Sequence, residues 1–137
     1  MNWKKFLIAF VAAFVVMYFF AGLWWGTLLK GAHNEVPALW RTPPQFTGLL
    51  FGHAALTFFF TLIFVRGFGS GGGVGGGLRC GVLIGLLFAA NDCILFAVQP
   101  LTAQILGGWI IGDILQFGIG GLIVGALYKP GPAPGGI

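Results

Sequence analysis

The chain has 137 residues, 58% of them hydrophobic and 7% charged, with a formal net charge of +4. A soluble domain carries about a quarter charged residues, so this composition excludes a soluble fold. The seven basic residues stand singly rather than on one face, which excludes a nucleic-acid surface. Four apolar stretches, each near the ~20 residues that a membrane helix needs, take up nearly the whole chain and leave no room for a second domain.

The first stretch, residues 6–28, follows Lys4-Lys5 and holds no charge. Its start is similar to a secretory signal, but the apolar part is too long and closes on Trp24-Trp25-Gly26 rather than a small-x-small cleavage site. It reads as a retained helix with an aromatic belt at its outer end. Residues 30–45 follow, with His33, Glu35, Pro37, Trp40, Arg41 and Pro43-Pro44. Tryptophan and proline in this pattern predict an ordered outer segment lying at the membrane interface.

The second span, residues 46–65, carries His53, Thr57 and Thr61 at four-residue spacing, hence on one face. Residues 67–77 then hold eight glycines in eleven positions. The formal GxGxxG at 67–72 follows a membrane helix rather than a strand, with no acidic ribose partner and no Walker lysine after it. A flexible cytoplasmic linker is expected there. The third span, 78–98, and the fourth, 101–128, are joined at Gln99-Pro100, a link short enough to make them antiparallel neighbours. The Pro/Gly-rich tail, 130–137, is not expected to fold alone. Cys80 and Cys93 share one helix about 20 Å apart and cannot pair within it.

Charge placement gives the orientation. Lys4, Lys5, Arg66, Arg79 and Lys129 fall on one side of a four-span layout, and Lys30, Glu35 and Arg41 on the other. The positive-inside bias then predicts an all-α, antiparallel four-helix bundle with both termini and the glycine run in the cytoplasm.

Small-residue spacing predicts close packing. Gly48 and Gly52, Gly81 and Gly85, Gly108 and Gly112, and Gly121 and Gly125 are all small-xxx-small pairs, which let helix backbones approach where the hydrophobic effect no longer drives association.

Polar residues inside the spans mark the candidate site. By helical rise, His53 lies about 10 Å below the outer surface, Asp92 about 9 Å and Asp113 about 12–18 Å. Asn91 and Gln116 sit near the same levels, giving a cluster of one imidazole, two carboxyls and two amides in the outer half. Asp113, Gln116 and Gly120 share one face of the fourth helix, and Gly85, Ala89 and Asp92 one face of the third. Carboxyls at this depth cost about 2.5–3.5 kcal/mol on insertion scales and turn inward to find partners. Three roles fit the cluster: interhelical hydrogen bonding, a proton or cation position, and a polar pocket for a ligand head group. A lone intramembrane histidine such as His53 also suits axial ligation of haem or a chlorophyll-type pigment, with His33 poorly placed to be a second ligand.

No nucleophile–base pair, HExxH or clustered Cys/His ligand set occurs in the chain, which points away from an enzyme. The residues Leu39-Trp40-Arg41, Gly77-Leu78-Arg79-Cys80-Gly81, Leu83-Ile84-Gly85 and the close Gln116-Phe117…Gly121…Tyr128-Lys129-Pro130 resemble those of a group of small bacterial four-span membrane proteins without an assigned activity. That resemblance implies a complete protein of the bacterial inner membrane and carries over no functional residue. With glycine faces to pack and no reaction chemistry, the first expectation is an accessory subunit bedded in lipid and packed on other subunits of a larger, energy-transducing (respiratory or photosynthetic) complex. The alternative is a small oligomeric transporter or proton/ion conductor using Asp92 and Asp113. A third is a pigment- or haem-binding subunit using His53; the first two need no cofactor.

Overall fold

The computed structural model describes residues 1–68 and 72–129. All regular structure in them is helical: α1 (Trp3–Leu23), α2 (Lys30–Asn34), α3 (Phe46–Gly67), α4 (Gly73–Val98) and α5 (Ala103–Leu127), with a 3-10 turn at Pro37–Leu39. Four helices, with α1 extended to Leu28, are long and apolar enough to cross a membrane. Their ends follow local chemistry. The Asn2 side chain accepts from the Lys5 N–H at 3.1 Å and the Thr102 hydroxyl from the Ile105 N–H at 3.2 Å, each capping a first helical turn.

α1 continues into a π-helical turn, Trp24–Leu28, in which the Leu29 N–H reaches back to the Trp24 carbonyl at 2.9 Å. The wider turn lets two consecutive tryptophans meet the same neighbour: a Cβ built on Gly112 of α5 would strike the rings of both Trp24 and Trp25. The Trp24 indole N–H fixes this arrangement by donating to the Gly108 carbonyl at 2.8 Å. At the other end of the same two helices, the Asn2 N–H donates to the Tyr128 hydroxyl at 3.3 Å and the Lys5 ammonium to the Lys129 carbonyl at 3.1 Å.

α5 is the centre of the bundle, with ten buried residues against four on α3. Its glycines serve two neighbours. Gly108 and Gly112 receive Leu29 and the tryptophans of α1's end, while Gly121 and Gly125 receive α4. Gly77 and Gly121 are in mutual backbone contact, and a Cβ on Gly85 would lie 2.8 Å from the Ile114 Cα. Gly48 and Gly52, spaced identically, pack against no other helix: both are exposed on α3.

The glycine run departs from expectation. Helix α4 begins at Gly73 rather than Leu78, so Gly73–Gly77 is helix and not linker. Glycine costs about 1 kcal/mol against alanine in a helix, but here the missing side chains bring the Gly73 carbonyl against Gly125 and the Gly77 backbone against Gly121. Tertiary contact overrides propensity, and φ of +46° at Gly73 is a start that glycine alone adopts readily. Residues 69–71, which complete the GxGxxG match, and the tail 130–137 lie outside the described residues.

The apolar core fills one half of the bundle only. Phe6, Ala9, Ala13 and Met17 of α1 meet Phe60 and Phe64 of α3, Cys80 of α4, and Phe117, Val124 and Tyr128 at the end of α5. They run from the end that holds Asn2 and Lys129 to the middle of the helices. A second, small cluster of Ala32, Leu101 and Ile105, with Trp109 beside it, ties α2 to the α4–α5 turn.

Candidate functional site

In the other half the core gives way to a cavity of about 830 Å³. The cause lies in α3. Its buried residues are Thr57, Phe60, Thr61 and Phe64, whereas Phe46, Leu49 and Phe51 are exposed. The helix is therefore packed at one end and free of α4 and α5 at the other. Phe88, 4.8 Å from the core ring of Phe117, lines the boundary between the packed and hollow halves.

The floor of the cavity is polar. Asp92 on α4 and Asp113 on α5 both line it, are 7% and 9% exposed, and stand with their carboxyls close enough to interact. The Asp92 Oδ2 is buried, with no N–H or O–H donating to it among the described residues. Gln116, one turn further along α5, lines the cavity and donates its amide N–H to the Met17 carbonyl at 3.1 Å. It thus bonds to α1 and not across the α4–α5 seam.

His53 lines the wall. A carbonyl only accepts, so the 3.0 Å contact between His53 Nδ1 and the Leu49 oxygen places the proton on Nδ1, and Nε2 has no partner among the described residues. The Tyr18 ring stands against it at 5.4 Å, edge to face. Asn91 is the one member of the sequence-derived cluster that the structure separates. It is exposed and does not line the cavity, because the residue beside Asp92 on a helix lies about 100° away around the axis.

The roof comes from the 30–45 segment and α5. The Trp109 indole N–H donates to His33 Nε2 at 3.1 Å, and the Trp40 ring lies 4.4 Å from the His33 ring and 5.9 Å from that of Trp109. Burial lowers the His33 pKa from its ordinary value, in keeping with a ring nitrogen that must stay unprotonated to accept. The Trp40 Nε1–H is buried without a partner. Trp25, Trp40 and Trp109 are not legible in the sequence as site residues, and His33 enters there only as a poorly placed second haem ligand. The only sequence signal was their aromatic character near the ends of spans, which belongs equally to an interface belt.

Among the described residues no group of three His, Cys, Asp or Glu side chains gathers to hold a metal ion. Compared with protein-family models, with curated proteins and with solved structures, the chain finds no match.

Proposed function

We propose that this chain is a multi-pass protein of the bacterial inner membrane that binds a small amphiphilic molecule, and that it belongs functionally with small transporters. In this proposal it is an antiparallel bundle with both termini inside, as the basic residues Lys4, Lys5, Arg66, Arg79 and Lys129 favour. The cavity then opens in the outer half of the membrane. One observation carries the proposal: an 830 Å³ cavity, of the size that holds small ligands, floored by the buried carboxyls of Asp92 and Asp113. Buried acids inside membranes mark ion or substrate paths and proton relays. A proton held by the two carboxyls is one with which a hydrogen-bond-donating ligand would compete for their oxygens, which is the elementary step of proton-coupled transport.

The test uses the tryptophans that line the cavity, Trp25, Trp40 and Trp109. In lipid nanodiscs, 4-(4-bromophenyl)butan-1-ol is expected to quench their fluorescence saturably. Gly22 lines the cavity and a Cβ there meets nothing within 4 Å, so Gly22→Phe adds a ring at the cavity wall and should leave only the linear quenching of lipid partitioning. Linear quenching in the wild type would overturn the proposal.

A second function, a packing subunit of a larger membrane complex, is favoured by a separate observation. Gly48 and Gly52 present a small-xxx-small face that nothing among the described residues covers. Purification from native membranes in mild detergent tests it: stoichiometric partners support it, and their absence removes it. The absorption spectrum of the same fraction tests pigment or haem at His53.

A further inference from the structure

His33 and Trp109 line the cavity from two different elements, α2 and α5. Among the described residues their 3.1 Å hydrogen bond is the only one that ties residues 30–45 to α4 or α5. Trp40, the third ring of the roof, packs on the same pair, 4.4 Å from the His33 ring and 5.9 Å from that of Trp109. The roof is therefore latched to the bundle at one imidazole.

Protonation would reverse that contact. An indole N–H only donates, so Trp109 needs the lone pair on His33 Nε2. A proton arriving at the ring takes that lone pair, and two N–H groups then face each other across 3.1 Å. The ring is half-buried, where a charge without a partner is costly, so the imidazolium gains by turning outward into water. Ala32 keeps its apolar packing with Leu101 and Ile105, which leaves α2 in place as the hinge.

The surroundings offer the imidazolium no partner that would hold it in. The other titratable groups lining the cavity are Tyr18 on α1, His53 on α3, Asp92 on α4 and Asp113 on α5, and none of them hydrogen-bonds to His33. Lys30, Glu35 and Arg41 in its own segment are exposed. Burial lowers the His33 pKa, which keeps the latch closed at neutral pH.

We infer that access to the cavity is gated by pH: neutral His33 latches residues 30–45 to Trp109 and slows ligand exchange, and a proton on its Nε2 opens the roof. This rests on the cavity being a binding site, as proposed above, and adds how that site is regulated.

The test follows release of the uncharged probe 4-(4-bromophenyl)butan-1-ol from protein in nanodiscs. Loaded nanodiscs are mixed with excess empty liposomes, and recovery of tryptophan fluorescence gives the dissociation rate between about pH 7.5 and about pH 5, across the range in which an imidazole titrates. In the wild type the rate is expected to rise at least about fivefold on acidification, as the loss of one hydrogen bond warrants, and to fall back on return to neutral pH. His33→Gln, whose side-chain oxygen accepts without titrating, should release slowly throughout. Trp109→Phe keeps a ring and loses the donor, and should release fast throughout. His53→Gln should keep the pH response, whatever its effect on affinity. A wild-type rate that does not change with pH, one that still changes in His33→Gln, or a response lost in His53→Gln would overturn the inference while leaving the cavity a binding site. Absence of saturable quenching at every pH would overturn both.

Discussion

Trp109 Nε1 and His33 Nε2, on elements 76 residues apart in sequence, share a 3.1 Å hydrogen bond. Only a neutral imidazole with its proton on Nδ1 accepts it, so this link between α2 and α5 depends on pH. Burial depresses the folded pKa of His33 below 6.5, so between that folded value and 6.5 the unfolded segment binds more protons. The stability of the link is complete above 6.5, declines as pH falls from there, and stops declining below the folded pKa. Tryptophan emission is expected to step with a midpoint below 6.5 on acidification. In His33→Gln, whose side-chain oxygen accepts without titrating, the step should disappear. A step of unchanged size in that variant would assign it elsewhere.

The two glycine environments give opposite outcomes for one substitution. A Cβ on Gly77 falls on the Gly121 carbonyl, whereas one on Gly52 meets nothing within 4 Å. Gly77→Ala has to push α4 off α5 and should destabilise by about 1–3 kcal/mol, the cost of overpacking. Gly52→Ala should be neutral or gain up to about 1 kcal/mol of helix propensity. Denaturant titration in detergent micelles checks both, and equal effects would refute the close α4–α5 contact.

Gln116 joins α5 to α1 through the Met17 carbonyl. An interhelical hydrogen bond in a membrane is worth about 0.6 kcal/mol, so Gln116→Leu should cost little in stability, measured by the same titration. A loss of several kcal/mol would mean that this amide organises the whole bundle.

Orientation is checked by labelling with a membrane-impermeant maleimide. Glu35→Cys should react in intact spheroplasts and Lys129→Cys only after permeabilisation. The reverse pattern would place the cavity mouth on the cytoplasmic side.

What the sequence made legible was periodic, and what it hid was pairwise. The inward face of α5 followed from Asp113, Gln116 and Gly120 at helical spacing, all three of which are buried. That of α4 followed in the same way from Gly85, Ala89 and Asp92. Spacing could not say which glycine pairs would find a partner: Gly121–Gly125 and Gly48–Gly52 look alike as text, yet one is clamped and the other bare. Depth alone grouped Asn91 with Asp92, although rotation about the helix axis parts them. Local propensity assigned Gly73–Gly77 to a linker, because backbone contact with α5, and not side-chain preference, makes that turn helical. The roof formed by His33, Trp40 and Trp109 joins distant segments through single contacts, which no periodic signal announces.

Helix α3 is held at Thr57, Phe60 and Phe64 and is bare at its start, and this unequal grip makes it a lever. Phe46 lies about 21 Å of helix away from Phe60, so a tilt of about 10° there carries it by about 4 Å. Small changes at the fulcrum are thus magnified at the rim, while the seam between α4 and α5, where glycine backbones already touch, offers no comparable freedom. The cavity is bounded by this bare end of α3 together with the 30–45 segment, and its acids are held by α4 and α5.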